Sequence, residues 1–267
     1  MTNRFTLFPD GKSKALTLSY DDGNIADRRL VDIFNRHGLR GTFHLNSAYL
    51  DKDNKVTRAE LPSLYAGHEI SCHTCTHPSL HQVANEEMIR ELLDDRRALE
   101  DIAGAPIRGL SYPNGRFDDR VVEVIRICGF AYARTTIATA AFGLPADPLR
   151  WAATGHHKHD ILAKGRQFLD LPPGREPSLF YVWGHSYEFD RENNWQLMED
   201  FAVLMEKNND LWYATNIEII DYLAAVRRLI SSVDGSMLSN PSAVPVWVAH
   251  NGNPVEIPAG KTVSFDH

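Results

Sequence analysis

Seven times along the chain a strand-forming run is followed by a helix-forming one, and this alternation limits the fold more than any other feature. Strands are predicted at Ala15–Tyr20, Gly41–Asn46, Gly67–Cys72, Arg108–Tyr112, Ala131–Thr135, Ser178–Trp183 and Leu211–Ala214. Helices are predicted at Asp27–His37, Arg58–Tyr65, Asn85–Ala103 with Asn85 as its N-cap, Asp118–Cys128, Asp160–Leu169, Glu192–Asn208 and Ile217–Ser231. Gly38, Gly104 and Gly129 stand where helices should stop. The stretch Thr136–Gly155 carries loop signals and yields no clear element. Repeats of this kind build a parallel sheet with crossover helices. Closed into a barrel, such a sheet keeps its chemistry at the carboxyl ends of the strands.

After Gly235 the pattern changes to short alternating runs, Val244–His250, Val255–Pro258 and Thr262–Phe265, broken by Asn251-Gly252-Asn253 and Ala259-Gly260. A β appendage of about 30 residues is too small to hold a core alone. It is expected to pack on the barrel or on a second copy of the chain. The predicted division is therefore residues 1–235 as the barrel and residues 236–267 as a β-rich C-terminal extension.

The polar clusters fall at predicted strand ends. Leu16–Tyr20 runs into Asp21-Asp22-Gly23, two adjacent carboxylates that repel unless a cation or a turn separates them. Taken alone, that sequence also suits a solvated turn. His73-Thr74-Cys75-Thr76-His77 places two imidazoles at i and i+4, which on a helical turn would share one face and bind one metal ion. With one carboxylate of the Asp pair they form a His₂Asp set that leaves a position open for water, as a catalytic zinc requires. Cys72 and Cys75 also make a CxxC, but Cys128 is the only other cysteine and no disulfide framework is implied. Phe180–Trp183 leads to Gly184-His185, a histidine suited to general acid work beside a metal. Ser111-Tyr112-Pro113-Asn114-Gly115 is a strand-to-turn whose backbone N–H groups can face an oxyanion.

These four motifs, Tyr20–Gly23, His73–His77, Tyr112–Gly115 and Trp183–His185, resemble in order and spacing the polysaccharide deacetylase (NodB-homology) family, over roughly residues 14 to 230. The resemblance implies a distorted (β/α)7 barrel and a metal-dependent carbohydrate esterase that removes N-acetyl groups from amino-sugar glycans. It implies Asp21 as general base, Asp22, His73 and His77 as metal ligands, the Asn114 N–H as oxyanion donor and His185 as general acid. Tyr112, Trp183 and Tyr187 would wall the pocket against a sugar ring, although each also suits core packing. Ser111 stands where many members carry an Arg that braces the catalytic Asp, with Arg108 and Arg134 as the available substitutes. Asp147, Trp151, His156 and Glu188 are the candidates for the family's Asp-Trp motif, which tunes the acid histidine.

The ligand set accepts Zn²⁺, with Co²⁺ or Ni²⁺ as alternatives. A net charge of −7 without a dense Lys/Arg block argues against nucleic acid or an anionic membrane as partner. Met1–Asp10 lacks a signal-peptide core and no apolar run approaches a membrane span, so a cytoplasmic protein with a soluble carbohydrate substrate is expected. Two other readings fit the same residues: an amidase acting on a non-sugar small amide, and a carbohydrate-binding protein impaired in catalysis.

Overall fold

The computed structural model describes residues 4–174 and 176–265; residues 1–3, 175, 266 and 267 fall inside the predicted domain ranges but outside the described residues. A short strand, β1 (Arg4–Leu7), precedes the central one, β2 (Lys14–Asp21). The chain then alternates through α1 (Asp27–His37), β3 (Gly41–Leu45), α2 (Leu61–Leu64), β4 (Glu69–Cys72), α3 (Asn85–Ala103), β5 (Gly109–Ser111), α4 (Asp119–Ile127) and β6 (Tyr132–Ala138). A broken strand follows, β7 (Trp151–Ala153) and β8 (Gly155–His156), then α5 (Ile161–Leu169), β9 (Ser178–Gly184), α6 (Tyr187–Arg191), α7 (Trp195–Met205), β10 (Leu211–Tyr213) and α8 (Asn216–Arg227). The last elements are β11 (Ile230–Ser231), β12 (Met237–Ser239), β13 (Val246–His250), β14 (Asn253–Ile257) and β15 (Thr262–Ser264).

β2 through β6 pair in sequence order, all parallel, and β9 pairs the other side of β2. β10 pairs the start of β2. β7 pairs β6, and two residues later β8 pairs β9, so the broken strand carries the order of parallel strands back to its beginning. The chain is an α/β protein with a mostly parallel sheet. Parallel strands are buried on both faces, and β2 is buried at every position. Leu16, Leu18 and Tyr20 on its outer face pack with Leu30, Ile33 and Phe34 of α1, which ends at Gly38 in the left-handed region with φ 67.

The inner face of the sheet combines aromatic rings with hydrogen-bonded polar side chains. Thr17 donates to Asn216 Oδ1 at 2.8 Å, and Asn216 Nδ2 donates to the Tyr181 hydroxyl at 2.6 Å. Glu69 accepts from Thr42, from Tyr132 at 2.7 Å and from the Ile217 N–H at the start of α8. Burial outweighs these donors and pushes the Glu69 carboxyl up to about 7. Asn216 N–H also donates to Thr42, which pins α8 beneath the sheet.

Several boundaries differ from expectation for identifiable reasons. Asn85 lies inside α3 and Ala84 is the N-cap, because the Asn85 side chain accepts from Arg120 rather than from its own helix. Glu192–Asn208 contains α7 only over Trp195–Met205, since Asn193 turns left-handed (φ 49) between α6 and α7. The predicted helix Ile217–Ser231 ends at Arg227, and Ile230–Ser231 enters a sheet with β12 and β15. Arg4–Leu7 is a strand because β13 pairs with it, Thr6 opposite Val248. The Tyr222 hydroxyl of α8 donates to Leu7 O and accepts from Trp247 N–H, holding this small sheet against the helix.

Gly109 sits where any Cβ would collide with the Tyr132 hydroxyl and Ser71 Oγ. Gly109→Ala is expected to lower stability by about 1–3 kcal/mol through overpacking of the polar interior, as read from thermal or denaturant unfolding.

Candidate active site

Asp21 and Asp22 leave the end of β2 on different courses. Asp21 remains in the strand, faces inward and is 3% exposed. Asp22 takes φ 79, a left-handed turn, and opens toward solvent. His73 follows β4 directly and is 2% exposed. The sequence placed His73 and His77 on one face of a helical turn; the structure overturns this. The segment is irregular, with Thr74 at φ 65 and His77 at φ 59, and these two left-handed residues bring the rings to 4.7 Å between centroids. Left-handed non-glycine residues cost about 1–3 kcal/mol each and gather at functional sites.

His73 Nε2 lies 3.8 Å from Asp21 Oδ2 and 3.8 Å from Asp22 Oδ1, and His77 Nε2 lies 4.0 Å from Asp22 Oδ1. Asp22, His73 and His77 each present one ligand atom within 4.8 Å of the others. His73 Nδ1 faces Ser111 O at 2.9 Å and Ser111 Oγ at 2.6 Å, while the Ser111 hydroxyl donates to Asp21 Oδ1. This arrangement puts the His73 proton on Nδ1 and leaves the Nε2 lone pair toward the carboxylates. Burial, opposed by Asp21 and Asp22, pulls the His73 pKa down to about 4, so the ring is neutral at pH 7. A His₂Asp set with a neutral, correctly presented imidazole fits a divalent cation.

Asp21 is ionised for a different reason. Burial alone would raise its pKa, but the Arg134 guanidinium above all overcomes it and holds the carboxyl well below the usual range. Arg134 Nη2 donates to Asp21 Oδ2 from a fully buried position, with the Trp183 ring 4.4 Å from the guanidinium carbon. Of the two arginines that could replace the one absent at position 111, Arg134 is therefore the one at the site. Arg108 pairs with Asp221 instead.

His185 follows β9 and faces Glu188 of α6, with Nδ1 3.4 Å from Oε2, while the His185 backbone N–H donates to the same oxygen at 3.2 Å. Burial lowers the His185 pKa, but Glu188, Asp21 and Asp22 raise it by more, so it is net raised. Glu188 also contacts His156 Nε2 at 3.0 Å, Lys158 Nζ at 2.8 Å and Arg191 Nη2 at 3.2 Å. His156, His157 and Glu188 thus form a second group with metal-ligand atoms close together. There, however, Lys158 N–H donates to His156 Nδ1, which leaves the proton on Nε2, pointing at Glu188. His156 and Glu188 are thus joined through a proton, while buried His157 lies 3.5 Å from Glu188 with neither ring nitrogen hydrogen-bonded among the described residues. Asp147 and Trp151 take no part: Asp147 caps Leu149 and pairs with Arg150, and Trp151 packs between Tyr132 and Tyr181.

A pocket of about 290 Å³ is lined by Asp21, Asp22, His73, His77, Tyr112, Asn114, Trp183, His185 and Tyr187, all singled out in the sequence, together with Thr136, which was not. Thr136 packs against Gly115, where a Cβ would strike it. Its signal lay only in strand pairing, since β6 extends beyond the predicted end at Thr135. Asn114 is left-handed (φ 58) within the Pro113–Gly115 turn, and its side chain donates to Ser79. The Tyr112 hydroxyl is committed to Leu149 O and its ring stacks on Phe117.

The sequence profile of the family described as polysaccharide deacetylase matches residues 9–133. A chitin deacetylase of Cryptococcus neoformans var. grubii is 32% identical over 105 residues, covering 39% of this chain and 22% of the relative. A chitooligosaccharide deacetylase of Rhizobium leguminosarum bv. phaseoli is 26% identical over 149 residues, 55% of this chain and 61% of the relative. The chain therefore spans less than two thirds of either relative. The structure of a candidate polysaccharide deacetylase from Mycobacterium smegmatis superposes with a TM-score of 0.62 at 18% identity, covering 84% of this chain and 94% of that one, which shows a common fold. Among the described residues no helix is long and apolar enough to cross a membrane.

Because Glu188 is a cause of the raised His185 pKa, Glu188→Gln is expected to lower it, so that the imidazolium persists over a narrower range, ending at lower pH. An NMR titration of the His185 ring checks this. A titration midpoint unmoved by the substitution would rule out the coupling.

Proposed function

We propose that this chain, a polysaccharide deacetylase homologue over residues 9–133, is a metal-dependent hydrolase that removes N-acetyl groups from an amino-sugar oligo- or polysaccharide. The reading is carried by one observation: Asp22, His73 and His77 converge in the same pocket as an ionised Asp21 and a His185 with raised pKa. The closed order of parallel strands supports a distorted (β/α)7 barrel within residues 1–235, with residues 236–267 as an accessory β unit. The substrates of the chitin and chitooligosaccharide deacetylases among its relatives support an N-acetylated glycan as substrate.

Asp22, His73 and His77 would hold a divalent cation, most simply Zn²⁺, whose Lewis acidity makes water a nucleophile near neutral pH and polarises the acetamide carbonyl. Asp21 accepts the proton of the attacking water, and Arg134 and Ser111 hold its two oxygens in place for that step. The Asn114 N–H offers a hydrogen bond to the oxyanion as charge develops, a kind of interaction typically worth about 2.7–4 kcal/mol. His185, kept protonated by Glu188, Asp21 and Asp22, delivers its proton to the departing amine. Trp183 and Tyr187 bound the space where the sugar ring would lie.

The test is acetate release from N-acetylated amino sugars and chito-oligosaccharides by protein stripped with chelator and refilled with Zn²⁺. Activity should vanish on stripping and return with metal. Asp21→Asn should still take up metal while losing about 10²–10⁴-fold in turnover, and His77→Ala should lose the metal itself. Metal-dependent hydrolysis confined to small non-sugar amides would replace the carbohydrate reading.

A further inference from the structure

The loop that carries His73 and His77 is gripped by side chains that take no part in the chemistry. Thr74, between the two histidines, is fully buried and left-handed, a conformation that β-branched residues rarely adopt. Its Oγ1 accepts the His77 N–H at 3.2 Å, so the turn is closed on itself. That internal bond does not select the left-handed form over an extended one for the start of the loop. Asn46 does. It stands just after β3, is 2% exposed, and donates from Nδ2 to His73 O at 2.6 Å and to Thr74 O at 2.9 Å. Successive carbonyls point in opposite directions along an extended chain. One amide group reaches both only when the residue between them is coiled.

Asp95 secures the other side of the same junction. It is the one carboxylate in the buried stripe Met88, Leu92, Asp95 and Leu99 of α3. Its Oδ2 accepts the His73 N–H at 3.1 Å, and its Oδ1 accepts the N–H of Ser47, the residue after Asn46, at 2.8 Å. The exits of β3 and β4 are thereby tied to each other and to α3, with the first histidine at the knot.

We propose that Asn46 is a positioning residue for the metal ligands: its amide holds Thr74 left-handed and so sets the separation of His73 from His77. The proposal rests on the cation reading of the site and is tested by metal affinity rather than turnover. Co²⁺ binding is measured by calorimetry on metal-free wild type, Asn46→Ala, Asn46→Asp, Thr74→Asn and the Asn46→Ala/Thr74→Asn pair. Thermal unfolding of each metal-free protein checks that it is folded. Asn46→Ala should weaken Co²⁺ binding about 10–100-fold, the usual cost of losing an outer partner of a ligand. Asn46→Asp keeps the size but removes the donor, and should weaken binding at least as much. Asparagine tolerates the left-handed region and keeps an oxygen for the His77 N–H. The double variant should therefore recover to within a few-fold of wild type.

Affinity unchanged in both Asn46 variants, or a double variant as weak as Asn46→Ala, would overturn the proposal while leaving the metal site standing. Wild-type protein that takes up no Co²⁺ would overturn the cation reading, and the positioning role with it.

Discussion

The ion pair between Asp21 and Arg134 is the interaction around which the site is built. Both side chains are buried, and an unpaired charge in that setting costs several kcal/mol. The pair is tolerable only if four strands meet in one order. β2 delivers the carboxylate, β6 the guanidinium, β5 the Ser111 hydroxyl on the second oxygen, and β9 the Trp183 ring beneath the arginine. Ser111 and Arg134 are register partners on neighbouring strands. A slip of one residue between β5 and β6 would turn Arg134 toward the apolar outer layer and strand Asp21 without a counter-charge. Fold and site are specified by the same pairing.

That pairing also explains what a linear reading of the chain misses. The motif Ser111–Gly115 lacks its arginine when scanned along the strand, yet the guanidinium arrives from the adjacent position across the ladder. Spacing within one segment carries no trace of such a substitution. Arg134 did leave a weaker signal, as a charged residue inside a strand-forming run, Ala131–Thr135. The same limit hid Arg4–Leu7, whose partner β13 lies more than 200 residues away, and the broken strand Trp151–His156, whose halves pair two different neighbours.

What was legible was local. The helices Asp27–His37 and Asn85–Ala103 followed from periodicity and their glycine stops, and each strand that ends at a site residue was apolar on its outer face. The histidine pair was found by its spacing but given the wrong geometry. Four residues on a helical turn and four residues on a left-handed loop can both bring two rings together, and the sequence does not separate the two. Asn46 and Asp95, which distinguish them here, come from other elements.

The proposed hydrolysis would make three different protonation demands within one small volume, and each is met by a different neighbour. Asp21 must stay ionised despite burial, which Arg134 above all secures, with the Ser111 hydroxyl on its other oxygen. His73 must stay neutral with its proton on Nδ1, which burial and Ser111 secure. His185 must hold a proton although burial opposes it, which Glu188 and the Asp pair secure. Pushing acid and base apart in pKa is how a single fold runs both halves of a hydrolysis near neutral pH. Glu188 can do its part because hydrogen bonds from His156, His185 and Lys158 outweigh burial and keep its own carboxylate ionised. Under the proposed function, Glu188 beside His185 and the loop that carries His73 and His77 would be the two supports of one electrostatic gradient, from the cation ligands to the proton donor.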